Sequence, residues 1–341
     1  IKTFSIGFEE ASYDESAHAA LIAQKFNTDH HHTVLSAHKM LEILPTVVGF
    51  LDEPFADYSI LPTYLLSKFA RESVTVALGG DGSDELFAGY PTFAASFHAE
   101  TFQRLPSFVQ KTLEWFTQKL PVSHEDMSFD FKAKQFLYGA HFPQVIRNQV
   151  WLGAFHQQEM ANLFIQDENP NDDPLNLVRE SLKNCVSKDV GDQLLYFYQK
   201  FYLCDDILVK TDRASMAHSL EVRAPFLDVN VVEYAASIPF SSKLKKGQTK
   251  AILKSALEQI LPHEIIYRPK KGFGIPLAIW LRSELKNKML ETLSPERIKR
   301  DGIFKCGKIE ALIQEHLSGR KNNRKQLFSL LMFHWWQDCW L

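Results

Sequence analysis

Cysteine is scarce in this chain of 341 residues: Cys185, Cys204, Cys306 and Cys339 lie far apart and form no CxxC pair. That excludes a disulfide framework or a thiolate zinc site as an organising principle. With no secretory signal in view, the expected setting is the reducing cytoplasm. Long apolar runs are missing too. Even the aromatic tail, with Phe333, Trp335, Trp336 and Trp340, is broken by His334, Gln337 and Asp338, so nothing approaches the roughly 20 residues of a membrane span and no membrane partner is expected. Nor does one sign of charge dominate. Thirty-eight basic against 41 acidic residues leave a net charge of -3, which provides no global field for gathering nucleic acid or anionic lipid. Any anion must be held locally. Internal repeats and low-complexity tracts are absent as well.

What is present suits a globular protein: 45% hydrophobic and 23% charged residues, enough to bury one sizeable core or two moderate ones. The chain opens on Ile1 rather than Met, and Thr3 to Phe8 already reads as a strand in progress, so the expectation is a fragment of a longer polypeptide. A helix is predicted from about Asp14, with Ala19, Ile22, Ala23 and Phe26 on one face. His32 to Leu35 reads as a second strand, followed by Met40, Ile43, Leu44 and Val47 at helical spacing. After Pro54 comes a helix carrying Pro62, Leu65, Leu66 and Phe69, then a third strand from Ser73 to Leu78. Strands alternating with helices predict an α/β fold with a parallel, doubly wound sheet. Beyond Tyr90 helical patterns dominate, as in Leu253, Ala256, Leu257 and Ile260, and a polar loop is expected from Gln166 to Pro174. Residues 1 to 90 therefore read as an α/β nucleotide-binding part and 91 to 341 as a mainly helical part that adds substrate-site segments.

The densest chemistry follows the third strand: Gly79, Gly80, Asp81, Gly82, Ser83, Asp84, Glu85. Ligands in open α/β sheets sit outside the carboxyl ends of strands, and glycines let backbone N–H groups approach a phosphate closely. Three carboxylates in that loop would repel a polyphosphate unless Mg²⁺ or a cationic side chain bridges them. The plainer alternative is a Gly/Asp turn whose acids cap the next helix. A second cluster runs from Lys210 to Asp228. On a helix Lys210 and Asp212 do not share a face, whereas Asp212, Ser215, Met216 and Ser219 do. Arg223, just before Pro225, has the fork for capturing a carboxylate; the alternative is a solvated helix with routine charge pairs. Basic loops around Lys250 and at Lys270 and Lys271 suit phosphates or a developing charge, or are plain surface. His30, His31 and His32 alternate faces if they lie on a strand, so they cannot all ligate one metal ion.

Taken together, TFSIGF and YDES (3 to 16), LDEPFADYSILPTYLLS (51 to 67), GGDGSDELFAGY (79 to 90), DRASMAHSLEVRAPFLD (212 to 228), GQTKAILK (247 to 254) and RPKKGFGIPL (268 to 277) resemble, in order, the synthetase domain of the glutamine-hydrolysing asparagine synthetases, in the PP-loop ATP pyrophosphatase superfamily. The resemblance implies that ATP with Mg²⁺ activates the side-chain carboxylate of aspartate as an acyl-adenylate, releasing pyrophosphate, and that ammonia derived from glutamine then displaces AMP. It implies adenine recognition at the Ile6 backbone, nucleotide contacts at Gly79, Gly80, Gly82 and Lys271, and a base at Asp81. It further implies a magnesium ligand at Asp84, a lysine facing the phosphates at Lys250, and aspartate binding by Asp212 and Arg223. Many relatives carry Ser-Gly-Glu-Gly where this chain has Gly79 to Gly82, which shortens the acid at 81 by a methylene. The family's SGGxDS motif and its N-terminal glutaminase domain are not among these residues, so residues 1 to 341 are expected to be inactive alone. The family's glutaminase domain and a homodimer are the implied partners. Related amidotransferases, β-lactam-synthetase-like cyclases and non-catalytic nucleotide-binding modules are the competing functions.

Overall fold

The computed structural model describes residues 1–125, 127–166 and 173–341; most of the expected polar loop from Gln166 to Pro174 lies outside them. The first 86 residues run β1 (Lys2–Gly7), α1 (Ser16–Lys25), β2 (Asp29–Val34), α2 (Ala37–Gly49), α3 (Ile60–Arg71), β3 (Val76–Leu78) and α4 (Ser83–Leu86). β1 and β2 are parallel, with Lys2 opposite Asp29 and Gly7 opposite Val34. The three histidines fall on β2 as polar strand residues. His30 bonds the hydroxyls of Thr3 and Ser5, and His32 bonds Ser5.

The expected single doubly wound sheet is not formed among the described residues. Two separate parallel pairs stand in its place, β1 with β2 and β3 with β4 (Glu221–Arg223). No described strand bridges β1 to β3. β3 is accordingly less buried than its V-A-L sequence suggests: Leu78 is 75% exposed. Its partner β4 comes from the segment read as helical, because three residues are too few to show a period of two.

The helices follow their apolar faces. α2 is capped by Ser36, whose hydroxyl accepts from the Lys39 amide at 3.3 Å, and it buries Met40, Ile43, Leu44 and Val47, the i, i+3, i+4, i+7 set. α1 buries only Ala23 and leaves Phe26 exposed. The main core joins α2 and α3 to the C-terminal helix Arg324–Trp340, which supplies Leu327, Phe328, Leu331 and Trp335. A second core gathers Phe93, Ile146, Leu194 and Tyr198. Between the two runs a π-helix, Tyr198–Ile207, which leads directly into the α-helix Leu208–Met216. Its wider turn presents Tyr198 and Tyr202 to one side.

Candidate active site

A cavity of about 1000 Å³ opens beside β3 and the Gly79–Asp84 loop. Gly79, Gly80, Asp81, Gly82 and Asp84 all line it, as do Asp57, Lys210, Lys270 and Arg324. The loop is held by backbone geometry. The Gly79 amide donates to the Arg223 carbonyl at 2.8 Å, and Gly82 has φ +89°, with a Cβ there falling 2.2 Å from Leu227 Cδ2. Gly82→Ala meets both the left-handed backbone and that clash. It is expected to cost about 1 to 3 kcal/mol, read from the urea midpoint; an unchanged midpoint would refute this account of the loop.

Asp84 sits between two ammonium groups, Lys250 Nζ at 3.0 Å and Lys270 Nζ at 3.1 Å. Burial works to raise its carboxyl, but Lys270 and Lys250 outweigh burial and hold it below the ordinary range. Lys250 also donates to Ser83 Oγ at 2.9 Å, and burial, only partly offset by Asp84, lowers its own pKa. Gly89 makes this approach possible: a Cβ there would lie 1.9 Å from Asp84 Oδ1 and 2.3 Å from Lys250 Cε. Glu85, which also lines the cavity, accepts from the Tyr90 hydroxyl, while the Tyr90 ring stacks on Tyr198 at 4.9 Å.

Asp81 faces Thr211, whose hydroxyl lies 3.4 Å from Oδ2. Burial raises its carboxyl, and Lys210 and Thr211 only partly oppose that rise. Lys210 is buried and donates to Asp57 Oδ2 at 2.8 Å. Asp57 also accepts from the Ser59 amide at 2.9 Å and the Ser59 hydroxyl at 2.8 Å. Burial raises the Asp57 carboxyl; Lys210 and Ser59 more than reverse this and lower it. Asp206, on the π-helix, is pushed up to about 8 by burial and by the neighbouring Asp57 charge, against the pull of Lys210.

The structure thus gathers Asp81, Asp84, Lys250 and the three loop glycines in one place. It does not bring in the rest. Ile6 is buried and lines a smaller recess of about 390 Å³, which shares Thr3, Phe4, Leu66 and Phe273 with the large cavity. Lys271 donates to the Ser12 carbonyl at 2.9 Å, while its neighbour Lys270 reaches Asp84. Asp212 is exposed. Arg223 is also exposed and pairs with Glu221 at 2.7 Å, and neither Asp212 nor Arg223 lines the cavity. The i, i+2 offset explains Asp212: once Lys210 turns inward to Asp57, Asp212 must point away. Asp57, Lys210 and Arg324 line the cavity without having been given a role from the sequence, and Lys270, named there only as part of a basic loop, is the lysine that reaches Asp84. Asp57 and Lys270 lie inside the motif stretches; their charge was visible and their direction was not.

Among the described residues the site offers no magnesium centre built from protein side chains alone; the expected ligand Asp84 would share the ion with phosphate oxygens. The site's best-placed carboxylate, Asp84, is already engaged by two lysines, and no group of three ligating side chains suitable for a metal occurs among the described residues. A nucleotide would bring its own metal on the phosphates.

The sequence matches the asparagine synthase family over residues 1–338. The chain belongs to that family. It is 30% identical to asparagine synthetase (glutamine-hydrolysing) 1 of Bacillus subtilis strain 168, over 99% of this chain and 52% of that protein. Asparagine synthetase (glutamine-hydrolysing) 3 of the same strain is 26% identical over 80% of this chain and 40% of its own length. The amidase chyE of Penicillium rubens is 24% identical over 89% and 48%. The chain spans about half the length of the curated relatives it matches. No helix among the described residues is long and apolar enough to cross a membrane.

Proposed function

We propose that the chain carries the synthetase chemistry of an ATP-dependent, glutamine-hydrolysing asparagine synthetase. The observation that carries this reading is the convergence, in one cavity, of the glycine loop, the acid Asp81, and the Asp84 carboxylate under two lysines. ATP enters as its magnesium complex, with Gly79 and Gly80 admitting the triphosphate close to the backbone. The β-carboxylate of aspartate attacks the α-phosphorus, the bond to the β-phosphate breaks, and pyrophosphate leaves as β-aspartyl-AMP forms. Lys250 and Lys270 supply positive charge where the leaving group gains negative charge.

Ammonia, released from glutamine by the glutaminase domain that the family carries, then attacks the acyl carbon. Its surplus proton passes to Asp81, and AMP departs to leave asparagine. A carboxylate raised by burial is a stronger base than a solvated one, which suits that task. Ile6, Gly82 and Lys271 belong to the same proposed nucleotide contacts.

Pyrophosphate release by the full-length protein, with MgATP, ammonium and either aspartate, glutamate or no acceptor, tests the proposal. Release that requires aspartate is expected. Equal release with glutamate, or without any acceptor, would move the function to another carboxylate, and no release would leave a nucleotide-binding module.

A further inference from the structure

Arg324 opens the C-terminal helix, is only 5% exposed, and still lines the cavity. Its guanidinium carbon lies 4.4 Å above the Phe131 ring. Among the described residues its side chain has no hydrogen bond and no ion pair. The contrast with Arg147 is instructive. That fully buried guanidinium is satisfied by Glu100 at 2.9 Å and by the carbonyls of Ser96, Gly139 and Phe142. Arg324 has no such anion, and its guanidinium nitrogens keep contact with the cavity; a charge in so restricted a space favours a ligand that supplies the anion.

A line of packing contacts links the Arg324 helix to the Asp57–Lys210 pair. Phe328, one turn further along the same helix face, packs edge-on against Tyr58 at 6.0 Å. Tyr58 adjoins Asp57, which holds Lys210, and Lys210 acts electrostatically on Asp81. Meanwhile Arg223, the guanidinium singled out in sequence, already has its carboxylate in Glu221.

We infer that Arg324 anchors a carboxylate of the acceptor amino acid, the one left ionised while the other is adenylated. The inference rests on the proposed function for the class of acceptor, a carboxylate-bearing amino acid. Its planar fork matches a carboxylate with two parallel hydrogen bonds, and the Phe131 face below keeps the fork flat and directed into the cavity.

Calorimetric titration of the full-length protein with L-aspartate and with L-glutamate, in the presence of a non-hydrolysable MgATP analogue, tests it. Arg324→Met is expected to weaken acceptor binding about 10- to 100-fold, the value of a charge-assisted hydrogen bond. Arg324→Lys should fall between the two, Arg223→Met should match the wild type, and affinity for the nucleotide analogue should be unchanged in all. In the wild-type protein, which avoids any folding defect of the variants, the Arg324 Nε–Hε resonance should shift as aspartate is added. Unchanged acceptor affinity in Arg324→Met, or an Arg324 resonance that stays still while aspartate binds, overturns the anchor and leaves the proposed function standing. Loss of nucleotide affinity in Arg324→Met overturns it in favour of a phosphate contact. Binding of glutamate in place of aspartate, with the same dependence on Arg324, sustains the anchor while refuting asparagine synthesis. Absence of acceptor binding by the wild type overturns both.

Discussion

Lys250→Ala in the full-length protein is expected to lower aspartate-dependent pyrophosphate release about 100- to 1,000-fold, the usual loss when one preorganised donor to a developing anion is removed. Two features make the effect large. Lys250 is held in place by Ser83 and Asp84, and Gly89, lacking a Cβ, leaves the space that Lys250 Cε occupies beside Asp84. Lys270 remains as a second cation at 3.1 Å, so Asp84 is not orphaned and the fold should survive. Circular dichroism and the thermal midpoint check that. A variant with near wild-type turnover would remove Lys250 from the chemistry and leave Lys270 as the operative lysine.

Asp57→Ala should be the most damaging single change to stability near the site. It strands Lys210, a buried ammonium whose direct partner is Asp57 at 2.8 Å, and about 3 kcal/mol is the scale for breaking such a pair from one side. The double variant with Lys210→Met removes the stranded charge as well and is expected to recover most of that loss in urea denaturation. If the double variant is no better than the single, the pair is not what the site depends on. Protonation gives an independent reading. Asp206 has a folded pKa of about 8, well above the ordinary carboxylate value of 3.8, so the folded state binds its proton more tightly than the unfolded chain. Its contribution is therefore full below pH 4 and is lost as pH rises toward 8. Asp57, lowered by Lys210, has the opposite slope, stabilising above the ordinary range and failing as pH falls. Asp206→Asn should accordingly flatten the decline of stability between pH 4 and 8. A decline of undiminished slope in that variant would assign it to another group.

Sequence periodicity made β1, β2 and β3 legible, and α2 most of all, because four large apolar residues repeat on one face with a serine cap ahead of them. The glycine loop was legible for a different reason: glycine and acid at the end of a strand have few other uses. What escaped was direction. Asp212 and Arg223 carry the right chemistry for an amino acid, yet which face of a helix turns inward is decided by tertiary partners, here by Lys210 reaching Asp57. Arg324 lies in a helix with apolar residues around much of its circumference, where a single arginine near the start reads as an end charge. β4 was hidden by its length, and with it the pairing that fixes β3. The joining of β1 to β3 in one sheet, a natural extrapolation from alternating strands and helices, required a connecting ladder that no described strand provides.

That missing ladder leaves an asymmetry in the walls of the cavity. Lys2 to Phe4 border it from one pair of strands, and Val76 to Leu78 from the other. Among the described residues, each strand has spent one side on its partner and keeps the other side's amides and carbonyls unspent. An extended segment threaded between them would find hydrogen-bonding templates to its left and right at once, and both would favour a strand over a helix or a turn.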